Sequence, residues 1–317
     1  MGDAPAIRLA GLTKYYGTSP GILDVDLEVA RGEVFGFVGP NGAGKSTTMR
    51  ILLDFHRATA GTATLLGLDS RRDSKAIRAR CGYLAGDIAL YERLTARRHL
   101  DWQNRLRGGA MRDIDGWADR LGLDLDRPIA DLSKGNRQKV GLVQAFAHEP
   151  DLLVLDEPTS GLDPLVQQEF HAMVSEVVEA GRTVFLSSHV IGEIDQTCER
   201  VGIIRDGRIV AVEDIDTMKG RSVREVEIRF ADPIDPAPYL ALEGVSEVSH
   251  DGDTIRLVLG GSPDALIKLA ARSEVVDLSM TAADLASSIL GFYGSEPTRS
   301  AGPDRLDDPG TGGDDAP

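Results

Sequence analysis

The residues most able to do chemistry form one run, Gly39-Pro40-Asn41-Gly42-Ala43-Gly44-Lys45-Ser46-Thr47. It fits the phosphate-loop pattern G-x-x-x-x-G-K-[ST]. Its glycines let the backbone curl so that successive N–H groups point at one anion. Lys45 supplies a point charge for the β- and γ-phosphates of a nucleotide, and the Ser46 hydroxyl is a hard oxygen ligand for Mg²⁺. A second group follows the apolar run Leu152-Leu153-Val154-Leu155, which ends in Asp156-Glu157. Two carboxylates at the end of a buried strand are costly unless they hold a metal or move a proton. Asp156 suits Mg²⁺ and Glu157 suits a water-activating base. A third is His189, at the end of the apolar stretch Thr183-Val184-Phe185-Leu186-Ser187-Ser188. A histidine there, beside a phosphate site, points to function rather than packing. Lys14-Tyr15-Tyr16-Gly17 reads as a loop ahead of the phosphate loop; its aromatic either stacks on a base or is an ordinary surface tyrosine.

Those groups need a scaffold. Residues 34–38 read as a buried strand, and 47–53 as the first turns of a helix whose N-terminus favours phosphate. Residues 7–12 and 22–29 alternate as strands do. Strands are expected at 61–67 and 81–84, with a short basic helix at 76–80. Two helices, 95–106 and 111–121, flank Gly108-Gly109. Their Arg97, Arg98 and Arg105 form either a solvated face or a protein-contact surface. Ser133 is the expected N-cap ahead of an apolar-periodic helix at 140–147. A further helix is expected over 165–180, and Asp206-Gly207 marks a hairpin between 200–205 and 208–212. Beyond Ser222 the texture changes. Strands at 225–230, 245–250, 254–259 and 275–280, with helices at 263–272 and 282–290, make a small α+β module without a chemical signature. Past Phe292 the Gly, Pro, Asp and Ser content predicts disorder.

Taken in order, these motifs resemble the ATP-binding subunit of ATP-binding-cassette (ABC) transporters, nearest the bacterial drug and antibiotic export group. The resemblance covers residues 7–219 and rests on five motifs. They are the phosphate loop, the signature Leu132-Ser133-Lys134-Gly135-Asn136, the second Walker motif ending at Glu157, the D-loop Ser160-Gly161-Leu162-Asp163, and the switch residue His189. Ser133 lies 88 residues after Lys45, Asp156 lies 23 after Ser133, and His189 lies 32 after Glu157. The family implies an α/β phosphate-loop ATPase core with a parallel sheet, an antiparallel β subdomain and a helical subdomain at about 86–147. It also implies ATP and Mg²⁺ as ligands. By this resemblance Tyr16 stacks on adenine, residues 39–47 cradle the phosphates, and Ser46 and Asp156 hold Mg²⁺. Glu157 polarises the attacking water and His189 touches the γ-phosphate. Ser133 and Gly135 reach the γ-phosphate held by the opposite subunit, and Asp163 lies across that interface.

Two positions depart from the family pattern. Gly86 stands where a Mg²⁺-sensing glutamine is expected; the adjacent Asp87 takes over as a metal-side group, or a water fills the gap. The signature reads Ser-Lys-Gly-Asn where Ser-Gly-Gly-Gln is common, but Ser133 and Gly135 remain.

The expected partners are a separate integral membrane permease and a second copy of the chain or a related cassette, at the cytoplasmic face of the cell membrane. The alternative is a soluble ABC-type ATPase acting in DNA repair, on chromosomes or on ribosomes. The 88-residue spacing without sustained heptads, and the single occurrence of each motif, speak against it. The 317-residue chain carries a net charge of −15, which argues against nucleic acid as a partner. Two cysteines, Cys81 and Cys198, are too few for a disulfide framework. Neither a signal peptide nor an apolar run of about 18 residues is evident. Three regions are expected: the cassette at 1–220, the α+β module at 221–293, and an acidic tail at 294–317 with six acids against two arginines. The module is either a dimerisation or regulatory unit or a packing domain.

Overall fold

The computed structural model describes residues 4–221 and 224–282. Strands β1 (Ile7–Tyr16) and β2 (Ser19–Val29) are followed by β3 (Val34–Val38) and α1 (Lys45–Leu52). Next come β4 (Ala60–Leu65), β5 (Leu68–Asp69), α2 (Ser74–Arg80) and β6 (Cys81–Leu84). Helices α3 (Ala96–Leu106), α4 (Ile114–Arg120) and α5 (Lys134–Phe146) precede β7 (Leu152–Asp156), α6 (Pro164–Glu179) and β8 (Thr183–Ser188). Then follow α7 (Ile191–Thr197), β9 (Arg200–Arg205), β10 (Arg208–Asp214) and α8 (Ile215–Arg221). The last elements are β11 (Arg224–Phe230), α9 (Ala237–Leu240), β12 (Val245–Asp251), β13 (Thr254–Leu259), α10 (Asp264–Ala270) and β14 (Val275–Ala282).

The six-stranded sheet runs β10-β9-β3-β8-β7-β6 and is parallel except at its β9–β10 edge. Every residue of β3, β7 and β8 is buried. That is why they read as unbroken apolar runs: both faces are covered. Successive side chains point to opposite faces. On one face Val34, Val38, Leu153, Leu155, Val184 and Leu186 share a core with Leu142, Phe146 and Phe170 of the helices. On the other, Phe35, Phe37, Leu152, Val154 and Phe185 pack with Ile7, Val25 and Met49. Ile7 and Val25 belong to a wholly antiparallel sheet, β2-β1-β4-β5.

A third sheet, β12-β13-β11-β14, is antiparallel throughout. Its β11 alternates buried and exposed residues. Val226, Ile228, Phe230, Ile255, Leu257 and Leu259 form a separate core with Tyr239 and Leu266.

Several expectations change. Lys14, Tyr15 and Tyr16 continue β1 rather than forming a loop, because pairing with β2 extends to Tyr16 opposite Ser19. The helix expected at 140–147 begins at Lys134, so the signature is itself the first turn of α5. Backbone hydrogen bonding starts at the cap and does not wait for apolar periodicity. Short helices α7 and α9 were not anticipated from periodicity, which needs more than two turns to register. Ala282, placed in a helix by sequence, ends β14 by pairing with Arg224. The rest of that expected helix, and the acidic tail, lie outside the described residues.

Candidate active site

The phosphate loop leaves β3 and turns into α1. Gly44 has φ 113° and is the N-cap of α1, with no side-chain cap bond and no acid in the first turn. A Cβ on Gly44 would stand 2.5 Å from Ile22 Cγ2, and one on Gly39 would stand 2.3 Å from the Ile204 carbonyl oxygen. The glycines thus answer both a left-handed turn and a close approach of chains. The amide groups at the tip of α1 are left to an anion. Ala43 is buried and locks the turn: its N–H donates to Pro40 O at 3.2 Å and its carbonyl accepts from Gly207 N at 3.0 Å.

Lys45 is only 6% exposed. Its ammonium donates to the carbonyls of Gly39 at 2.6 Å and Pro40 at 3.2 Å. Burial pushes its pKa down, while the carboxylates of Glu157 and Asp156 oppose the shift. A cleft of about 310 Å³ is lined by Tyr16, Gly21, Pro40, Asn41, Gly42, Gly44, Lys45, Ser46, Thr47 and Glu157.

Sheet order brings the other groups to this cleft. β8 lies between β3 and β7, with Val38 opposite Ser188 and Asp156 opposite Ser187. Loops from three adjacent parallel strand ends therefore meet at one edge, the usual ligand-binding end of such sheets. Asp156 is 2% exposed, and its Oδ1 accepts from the Ser187 hydroxyl at 2.6 Å. Glu157 holds its carboxylate between two bases. Lys45 Nζ lies 3.8 Å from Oε1, and His189 Nδ1 lies 2.9 Å from Oε2. Glu157 has φ 51°, a left-handed backbone unusual for a residue with a side chain.

Tyr16 is half-exposed at the end of β1. Its hydroxyl lies 2.7 Å from His56 Nδ1 and 3.4 Å from Thr47 Oγ1, and Lys14 Nζ sits 5.2 Å from its ring centre. This tethers the ring at the rim of the cleft.

Ser133, Gly135 and Asp163 do not line that cleft; Asp156 and His189 do not line it either, but His189 is tied to it by its contact with Glu157. Ser133 caps α5, its Oγ accepting from Asn136 N at 3.3 Å. Asp163 likewise caps α6, accepting from Val166 N at 3.1 Å. A Cβ on Gly135 would stand 2.4 Å from the Gly161 carbonyl oxygen, so the signature tip and the D-loop lie in backbone contact. Asp87 is exposed. The neighbouring Gly86 faces the metal-side carboxylate: a Cβ there would stand 3.2 Å from Asp156 Oδ2.

Sequence reading missed two polar residues at the site. Ser187 bonds Asp156, and its Oγ also accepts from Glu157 N at 3.1 Å. Gln138 is buried and donates to the carbonyls of Glu157 and Pro158. Its only sequence signal is a polar residue facing inward once α5 is extended back to Lys134.

Among the described residues no group of three or more His, Cys, Asp and Glu side chains could hold a metal ion. A serine hydroxyl and one buried carboxylate are hard oxygen donors. They fit Mg²⁺ shared with phosphate oxygens and water rather than a closed protein cage. No helix among the described residues is long and apolar enough to cross a membrane.

Comparison with known proteins identifies the family. The ABC transporter family matches residues 22–160. The chain is 34% identical over 230 residues to the bacitracin transport ATP-binding protein BcrA of Bacillus licheniformis, covering 71% of this chain and 75% of that one. It is 36% identical over 223 residues to the daunorubicin resistance ATP-binding protein DrrA3 of Streptomyces coeruleorubidus, covering 68% and 71%. A solved structure described as the ATP-binding subunit of an ABC transporter superposes with a TM-score of 0.63 at 28% identity, over 68% of this chain and 92% of that one. A phosphate loop between strand and helix, a carboxylate pair and a histidine at one end of the sheet, with relatives of this kind, place the chain among the ABC transporter ATP-binding proteins, as a subunit that binds and hydrolyses ATP.

Proposed function

We propose that this subunit powers an exporter of a drug, antibiotic or other lipophilic compound, working beneath a separate membrane-spanning permease at the cytoplasmic face of the cell membrane. Support comes from relatives named for bacitracin transport and daunorubicin resistance. We assign the site residues the following roles. The amides of residues 39–47 and the Lys45 ammonium bind the triphosphate, and the Tyr16 ring stacks on the adenine. Ser46 and Asp156 would hold Mg²⁺, which supplies neutralising charge to the phosphate oxygens. Glu157 accepts a hydrogen bond from the attacking water and orients it in line with the γ-phosphorus. His189, 2.9 Å from that carboxylate, holds it in place and offers its ring to the γ-phosphate. Asp87, one residue from the glycine facing Asp156, serves as the metal-side link to the permease.

The observation that carries this reading is a separation. Ser133 and Gly135 lie outside the cleft that Lys45 lines. An exposed helix tip bearing Ser133, with no acid in its first turn, is an anion site awaiting a phosphate from elsewhere. A second copy, or a related cassette, supplies that phosphate, and Asp163 lies at the joint. ATP binding then closes the pair and hydrolysis loosens it, a ligand biasing a two-state interface. The variant Glu157→Gln is expected to keep ATP affinity, lose about 10²- to 10⁴-fold in kcat, and accumulate as a dimer with ATP and Mg²⁺. Gel filtration showing only monomer under those conditions contradicts the cross-dimer site.

A further inference from the structure

We propose that Gln138 is a positioning residue for the hydrolytic carboxylate, through which the signature helix holds the backbone of Glu157. The inference rests on Glu157 being the group that orients the water, and deepens that reading. Glu157 is held in a left-handed conformation with φ 51°. Such a backbone persists only where its surroundings over-determine it. Here it is gripped from both sides. Toward β8, its N–H donates to the Ser187 carbonyl at 3.2 Å and to Ser187 Oγ at 3.1 Å. Toward α5, its carbonyl accepts from Gln138 Nε2 at 3.1 Å, and the same amide donates to Pro158 O at 2.8 Å. Only the NH₂ end of a glutamine can serve two carbonyls, so the partners fix the amide's orientation. Gln138 is 4% exposed, so water does not compete for these bonds.

A glutamine is an expensive choice for a buried helix face, where Val140, Leu142 and Val143 take apolar side chains. What it adds is a rigid tie. The tip of the same helix is joined to the same loop further on: Lys134 Nζ donates to Ser160 Oγ at 3.1 Å, and Gly135 abuts the Gly161 carbonyl. The segment from Glu157 to Gly161 is therefore attached to α5 at two levels. When the Ser133 tip engages the nucleotide of the opposite copy, the displacement of α5 is delivered to the Glu157 backbone. Closure at one nucleotide thereby sets the carboxylate that works on the other.

The test measures kcat at saturating ATP, the Kd of a fluorescent ATP analogue and the melting temperature. Gln138→Met keeps the side-chain length and removes the donor. We expect kcat to fall tenfold or more, with Kd within twofold of the parent. Val143→Ala, on the same helix and without a polar side-chain contact, reports damage to packing alone. It is expected to lower the melting temperature and leave kcat within threefold. A Gln138→Met protein with undiminished kcat overturns the proposal, as does a Val143→Ala protein that loses kcat by the same factor. Should the methionine variant not fold, Gln138→Glu, which directs an acceptor at two carbonyls, carries the same expectation and the same refutation. Glu157→Gln is run alongside. If it hydrolyses ATP at the parental rate, the role of Glu157 is wrong; if it is inactive while both Gln138 variants are fully active, only the positioning role fails.

Discussion

The six-stranded sheet and the C-terminal four-stranded sheet are built to different rules. Around the first, polar side chains are buried: Lys45, Gln138, Asp156, Ser187 and Ser188 are all under 9% exposed. Among the described residues, every buried polar or charged side chain lies between Glu33 and Ser188. The C-terminal core is instead aliphatic and aromatic, with Tyr239 its one hydroxyl-bearing member. Backbone strain divides the same way. Non-glycine residues with positive φ include Asp24, Leu66 and Glu157, whereas in the C-terminal sheet region positive φ belongs to Gly244, Gly252 and Gly261. Burying polarity and holding strain both cost stability, and proteins tolerate them where chemistry needs them. Among its described residues the C-terminal module holds little of either.

Core truncation in the module gives the largest effect on this contrast. Leu257→Ala is expected to cost about 2–5 kcal/mol of the module's stability while ATP affinity stays within twofold. Calorimetry with nucleotide titration checks both, and a matching loss of affinity would show that the module shapes the cleft.

A smaller effect should appear in acid. Burial, aided by Arg107, pushes the His148 imidazole down to about 4, and its Nε2 sits 3.1 Å from the Cys81 carbonyl on β6. Folding thus favours the neutral ring. The stability it contributes is complete above the ordinary histidine pKa of about 6.5 and drains away as pH falls toward 4. Allowing for partial exposure, we expect about 1–2 kcal/mol lost across that window. His148→Gln should flatten the dependence of the melting temperature between these pH values. Because His148 sits against β6, the acid loss should appear in the cassette transition. Equal slopes in parent and variant would remove His148 from the account.

The smallest expected difference isolates strain. Glu157→Gly should be more stable than Glu157→Gln by about 1 kcal/mol, because glycine adopts positive φ without the clash that a Cβ brings. Thermal unfolding of the two variants compares them directly. A glutamine variant as stable as the glycine one would mean that the backbone at 157 holds no strain, and the contrast between the two sheets would narrow to buried polarity.

Much of the site was legible because its chemistry is local. The phosphate loop needs glycines, a lysine and a hydroxyl at fixed spacing, and a run of nine residues contains them all. The hairpin at Asp206-Gly207 was equally local, both residues taking positive φ. Gln138 and Ser187 were not legible, since their partners lie 19 and 31 residues away and their types are ordinary. Tyr16 was misplaced in a loop because the strand pairing that holds it depends on β2 rather than on its neighbours.

By itself the sequence determined which groups are available: a phosphate cradle, a carboxylate pair, a terminal histidine, a serine-capped helix tip, and the apolar runs that must become buried strands. Local backbone geometry and the cost of burying charge are enough to read these. Only the tertiary structure decided that β8 inserts between β3 and β7 and so sets His189 against Glu157. It also decided that Ser133 stays out of the cleft while Gln138 of the same helix reaches in to Glu157. Strand order and helix rotation come from how two faces of one sheet are covered, a property of the packed whole that no short window of residues contains.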